Sequence, residues 1–179
     1  MNFTILSKMR GTNIGLLVGL FSFLFVQCNL DIPQEVEIEM GSLPQEIDFN
    51  YHVKPILSDR CYSCHGPDEK SRKAGLRLDV ESIAFSKLES NNRAFVKGSI
   101  SRSEGVHRIL SNDPEKQMPP PESNLSLSNR EKAILIKWID QGAEWKDHWA
   151  FIPPTKKILP KVSSEELKHE IDQFIYNKL

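Results

Sequence analysis

Between Ile14 and Val26 the chain runs 13 residues without a charge, behind the cations Lys8 and Arg10. That run is short for a membrane-spanning helix and suits the apolar core of a secretory signal. From residue 29 to 48 the pattern changes to acids and breakers: Glu35, Glu37, Glu39, Glu46 and Asp48, with Pro33, Pro44 and Gly41 among them. The alternation Val36-Glu37-Ile38-Glu39-Met40 fits a short strand. So many like charges favour an extended, solvated linker instead. Phe49, Val53, Ile56 and Leu57 then fall at i, i+4, i+7 and i+8, one face of a helix. Pro55 sits inside that stripe, so the helix is expected to start near His52, with the proline in or near its first turn. Short helices are expected over 80–88, capped by Asp79, and over 103–110. The clearest helix follows Ser128. Ser128-Asn129-Arg130-Glu131 reads as a capping box, Ile134, Leu135, Trp138 and Ile139 as the apolar stripe, and Gly142 as the stop. The strong periodicities are helical, so an all-α fold of three to five helices is expected over 49–146.

Composition adds bounds. The 179 residues suffice for one domain with extensions, and 39% hydrophobic with 26% charged residues is a globular balance, neither disordered nor polytopic. Lys and Arg total 23 against 24 acids, so no excess of positive charge points to nucleic acid. Three cysteines are too few to staple a disulfide-rich fold. The expected organisation is a signal over 1–28, an acidic linker over 29–48, the main domain over 49–146, and a Pro-rich junction with an amphipathic helix over 147–179.

The cysteines inform by position. Cys28 closes the uncharged run, like the lipid-attachment cysteine of bacterial lipoproteins, although Gln27 stands where a small residue is usual. An uncleaved N-terminal membrane anchor competes with that reading. Either way the body of the chain is expected outside the cytoplasm, periplasmic or at the cell surface.

Residues 61–65 read Cys-Tyr-Ser-Cys-His. Two thiols one helical turn apart, followed directly by histidine, form the attachment pattern for haem c. Cys61 and Cys64 would each add to one vinyl group, and His65 would ligate the iron. A thioredoxin-like dithiol wants a βαβ context, which the sequence lacks. A zinc site wants further ligands, and His52, His107 and His148 show no regular spacing with the pair. For the sixth iron position the candidate is Met118, in Gln117-Met118-Pro119-Pro120-Pro121, where prolines fix the backbone and leave little core to fill. His107 is its competitor and would give bis-histidine ligation. Lys54, Arg60, Lys70, Arg72, Lys73 and Arg77 concentrate positive charge near the thiol pair. They read as a solvated face, as partners of haem propionates, or as a contact for a redox partner.

Several ordered blocks carry a resemblance: Val53-Lys54-Pro55-Ile56-Leu57, Cys61 to Pro67, Gly75-Leu76-Arg77-Leu78-Asp79, Met118-Pro119-Pro120, and Trp138-Ile139-Asp140-Gln141-Gly142-Ala143. From Phe49 to Trp145 the chain resembles the planctomycete-type cytochrome c domain found at the start of large exported bacterial proteins. The resemblance implies a class I cytochrome c-like helical fold around one covalent haem c, with thioethers at Cys61 and Cys64 and axial ligands His65 and Met118. The stretch His148-Trp149-Ala150-Phe151-Ile152-Pro153-Pro154, and then Ile171 to Ile175, resembles the junction to a downstream module and its first helix. On that ground the chain is expected to be part of a longer protein. The competing reading of the tail is a short helix docked on the haem domain. Electron transfer is the expected function. The alternative is the redox half of a larger haem oxidoreductase, or a small peroxidase. The sequence shows no general acid/base pair near the thiol motif, which favours electron transfer.

Overall fold

The computed structural model describes residues 30–156, 158–161 and 169–178. The expected signal and Cys28 lie outside these. The described residues are helical and contain no strand, only an isolated antiparallel bridge between Lys87 and Arg93. None of their helices is long and apolar enough to cross a membrane. The chain divides into two compact units, one ending at Trp145 and the other beginning at Lys146.

In the first unit the helices are α1 (Gln34–Ser42), α2 (Lys54–Arg60), α3 (Tyr62–His65), α4 (Glu81–Ala84), α5 (Glu104–Leu110) and α6 (Asn129–Asp140). The extended, solvated linker expected over 29–48 is corrected by α1, which is helical and packed. Val36 is fully buried, Leu43 and Ile47 are buried, and Met40 packs partly against the same core. The alternation that suggested a strand also places Val36 and Met40 at i and i+4, one helical face. Glu35 and Glu37 lie in the first turn, where the free N–H groups of the helix favour negative charge. The segment is also stitched to α6. Arg130 bonds Glu39 at 3.3 Å and the Ser42 hydroxyl at 3.1 Å. The Gln141 carboxamide accepts from Ile47 N–H at 3.0 Å and donates to the Gln45 carbonyl.

A π-helical turn, Phe49–Val53, leads into α2. The Asp48 carboxylate accepts from Tyr51 N–H at 3.0 Å and so caps the turn. Pro55 falls in the first turn of α2, where its missing N–H costs little. All four residues of the expected stripe, Phe49, Val53, Ile56 and Leu57, are buried. The Ser128–Glu131 capping box forms as the sequence predicts, and Gly142 follows α6 at φ +102°. The buried face of α6 is rotated from expectation: Ala133, Leu135, Ile136, Trp138 and Ile139 are buried, while Ile134 is only partly so. At its centre Trp138 meets Phe95 edge-on at 5.6 Å and Phe49 at 5.7 Å, and Trp145 lies 4.2 Å from Phe49. Such pairs add directional attraction to apolar burial. Asp79 does not cap a helix over 80–88. The helix there is the short α4, with no side-chain cap, because the Asp79 carboxylate is taken by Arg77.

In the second unit the His148 ring caps a 3₁₀ turn, Trp149–Phe151, by accepting from Ala150 N–H at 3.2 Å. The helix α7 (Glu170–Tyr176) follows, opened by a bond from His169 N–H to Asp172. Its residues Ile171 and Ile175 are exposed.

Candidate functional site

The thiol pair sits where α2 gives way to α3. Cys61, at φ −123°, breaks the first helix and opens the second. Its carbonyl accepts from Cys64 N–H at 3.1 Å and His65 N–H at 2.8 Å, so Cys61, Cys64 and His65 share a single turn. Gly66 must then be glycine: a Cβ there would stand 2.4 Å from the Tyr62 carbonyl oxygen, which no flexible side chain can relieve. Beyond it the loop folds back over the helix end. Lys73 N–H donates to the Cys64 carbonyl and Leu78 N–H to the His65 carbonyl, both at 2.8 Å. Those carbonyls have no partner within so short a helix, and the loop supplies one. Arg72 bonds the carbonyls of Gly66 and Pro67, and Arg77 grips Asp79 with two nitrogens. The return buries Leu76 and Leu78 against the core.

The opposite wall is the loop from Ser111 to Leu127. Asp113 organises its first turn, accepting at its carbonyl from Lys116 and Gln117 N–H and at its carboxylate from Glu115 N–H. Met118 N–H then donates to the Arg108 carbonyl at 3.1 Å, which ties the methionine to the end of α5. Pro120 accepts from Ser123 twice and closes the loop.

Two cavities, of about 530 and 370 Å³, open between these walls. Cys61, His65, Lys73, Ile109 and Met118 line both, so the two are halves of one cleft. Cys64, Pro119, Leu125 and Leu127 line the larger half; Leu57, Leu76, Leu78, Phe95 and Leu135 line the smaller. The cleft is therefore mostly apolar, of a size for a large organic cofactor. His107 lines neither half. It is exposed, and its Nε2 lies 2.7 Å from the Ser101 carbonyl oxygen. The structure thus brings Cys61, Cys64, His65 and Met118 to one cleft and leaves His107 outside.

The electrostatics of these groups are distinctive. Burial pushes the Cys61 thiol up to about 12, with the nearby Cys64 and Glu131 adding to the rise and Arg60 opposing it. A dithiol oxidoreductase needs the reverse, a thiolate at neutral pH. Burial also lowers the pKa of His65; the Lys73 backbone offsets part of this, and the charge of Arg108 adds to the lowering. Its Nδ1 is buried, with no hydrogen-bond partner among the described residues. Among the described residues no three His, Cys, Asp or Glu side chains converge as a metal site.

Residues 61–122 match the model of the family described as Planctomycete cytochrome C. The chain carries a planctomycete-type cytochrome c domain. Searches of curated proteins and of solved structures find no match. The matched stretch of the cytochrome c domain begins at the first thiol and ends just past Met118, so it holds Cys61, Cys64, His65 and Met118 and part of each wall of the cleft. The resemblance read from the sequence extends further, to α2 before it and α6 after it. Sequence reasoning named the four residues with ligand chemistry and missed most of the apolar lining. Leu125 and Leu127 carried a signal, an alternation beside the prolines, but nothing local tied them to the thiol pair.

Proposed function

We propose that this domain holds one haem c and transfers electrons; Cys61 and Cys64 would hold the group by thioether bonds, and His65 and Met118 would ligate its iron. The reading is carried by one juxtaposition: a single apolar cleft takes two thiols and an imidazole from one wall and a thioether from the other. The residues present suit the group. The thiols are free, Cys61 stays protonated, and the cleft is lined largely by aliphatic side chains. When bound, the haem supplies one-electron chemistry at its iron. His65 and Met118 would ligate that iron, a pairing that raises the potential and suits exchange of electrons. The apolar lining excludes water, and the Asp113 turn and Pro119 fix the Met118 backbone.

We further propose export through residues 1–28 and attachment by a lipid on Cys28. Support comes from the uncharged run over 14–26 between two cations and that cysteine. Fractionation of cells making the full chain tests it: the protein should be found with membranes, and Cys28→Ala should release it to the soluble exported fraction.

The absorption spectrum of the purified full chain tests the haem reading. A weak long-wavelength sulfur–iron band in the oxidised protein is expected. No haem after expression with a haem-attachment system would overturn the reading. Bound haem that lacks the band and takes up added ligands readily would indicate an open, enzyme-like site instead.

A further inference from the structure

Arg108 is a cation on the wall of the apolar half of the cleft, with its side chain 38% exposed. One face of its guanidinium is engaged: Nε donates to Glu104 at 2.9 Å, one turn back on α5. Glu104 is held in turn by the Asn92 carboxamide at 3.3 Å. Among the described residues the two terminal nitrogens of Arg108 have no hydrogen-bond partner. They keep an end-on pair of donors that can meet a second carboxylate bidentately. The backbone is fixed as well, since the Arg108 carbonyl accepts from Met118 N–H. A half-buried guanidinium, oriented by a carboxylate and left with an open pair of donors, is prepared for a second anion. Haem carries two propionate carboxylates on an otherwise apolar ring, and Glu89 and Glu104 on the same cavity wall would repel them. Lys73 also lines the cleft, but it is exposed and a point charge rather than a fork.

We propose that Arg108 receives a haem propionate through its terminal nitrogens, with Glu104 positioning it; this rests on the haem c reading above. The pairing neutralises a negative charge near the iron and so favours the reduced state. It also fixes which edge of the ring enters the smaller half of the cleft.

The test uses the full-length haem-loaded protein, with haem labelled with ¹³C at the propionate carboxyls, and redox-induced infrared difference spectra beside potentiometry. Arg108→Gln should shift the labelled carboxylate bands and lower the midpoint potential. Arg108→Lys, which keeps the charge and loses the fork, should recover part of the potential but not the band positions. Arg102→Gln, an exposed arginine bonded to Ser99 and outside the cleft, should change neither. If Arg108→Gln does not accumulate, the bands of Arg108→Lys decide. Unchanged bands and potential in a haem-stained Arg108 variant overturn the inference alone, as do bands that move only in Lys73→Gln. Absence of haem from the unsubstituted protein overturns the cofactor reading and this inference with it.

Discussion

Whether α1 is part of the domain or a tether is decided by the double substitution Val36→Ala with Leu43→Ala. Val36 is fully buried and Leu43 is 8% exposed, so both side chains leave water on folding. Truncating a buried leucine to alanine costs about 2–5 kcal/mol, because the lost transfer energy is joined by the cavity left behind. Truncating Val36 removes two methyl groups, about 1.6 kcal/mol at ~0.8 each before any cavity. The pair should therefore cost about 4–7 kcal/mol, a large share of the ~5–15 kcal/mol that holds a typical domain together. Each kcal/mol lowers the melting temperature by roughly 2–8 °C over the relevant range of domain sizes. A fall of at least about 8 °C is expected by circular dichroism. Ile38→Ala is the internal control, because Ile38 lies on the same helix and is 67% exposed. It should change stability by no more than about 0.5 kcal/mol. A double variant that melts within about 2 °C of the control would return residues 29–48 to the status of a solvated linker and refute the packing argument.

Three further outcomes are expected. Cys61→Ala with Cys64→Ala should leave no haem on the polypeptide in a denaturing gel stained for haem peroxidase activity, and a stained band in the double variant would contradict the thioether assignment. Met118→Ala should keep covalent haem, lower the midpoint potential and let added ligands bind, whereas His107→Ala should change none of these; the reverse pattern would transfer the sixth position to His107. Acid should destabilise the fold through Asp79 and Glu131. Arg77 holds the Asp79 carboxyl below its ordinary 3.8. Burial works against ionisation of Glu131, but the Ser128 bonds and Arg60 outweigh it and hold that carboxyl below 4.5. Depressed folded values mean that this stability is fully present above the ordinary values and is lost as pH falls through the folded ones. Urea unfolding of the wild type and of Glu131→Gln should therefore converge progressively as pH drops below the ordinary 4.5, and a constant difference down to pH 2 would count against it.

What the sequence made legible was local. The capping box at Ser128 depends on two residues three apart, and the stripe from Phe49 to Leu57 on a single helical period, so both were readable without knowing the fold. The thiol pair and His65 were legible because covalent attachment itself dictates their spacing. The role of Asp79 was not. A cap and an ion pair with Arg77 suit the same carboxylate, and only the folded loop decides between them. The rotation of the α6 face was hidden for a similar reason. Ile134 and Ile136 are equally apolar, and only the packed fold distinguishes them, burying the second and leaving the first partly exposed. His107 illustrates the limit most directly: by chemistry it rivals Met118, and only the turn of α5 places it outside the cleft.

Helix α1 bears on the site through two neighbouring residues of α6. Arg130 and Glu131 stand in the first turn of α6. Arg130 reaches α1 through Glu39 and Ser42, while Glu131 reaches Arg60 at 3.1 Å, the last residue of α2 before Cys61. Partly exposed ion pairs such as these contribute little to stability, about 0–1 kcal/mol each. Their consequence is geometric. Burial of Val36, Leu43 and Ile47 supplies the energy that seats α1, and the ion pairs fix the register at which the start of α6 meets the end of α2. The capping box adds a second constraint, because the carboxylate that bonds Arg60 also accepts from the Ser128 backbone and hydroxyl. A carboxylate held by the helix start and by Arg60 at once leaves the end of α2 little freedom, and the first thiol is the next residue. The orientation of Cys61 toward the cleft thus depends on a segment whose acidic composition argues, read by itself, for no structure at all.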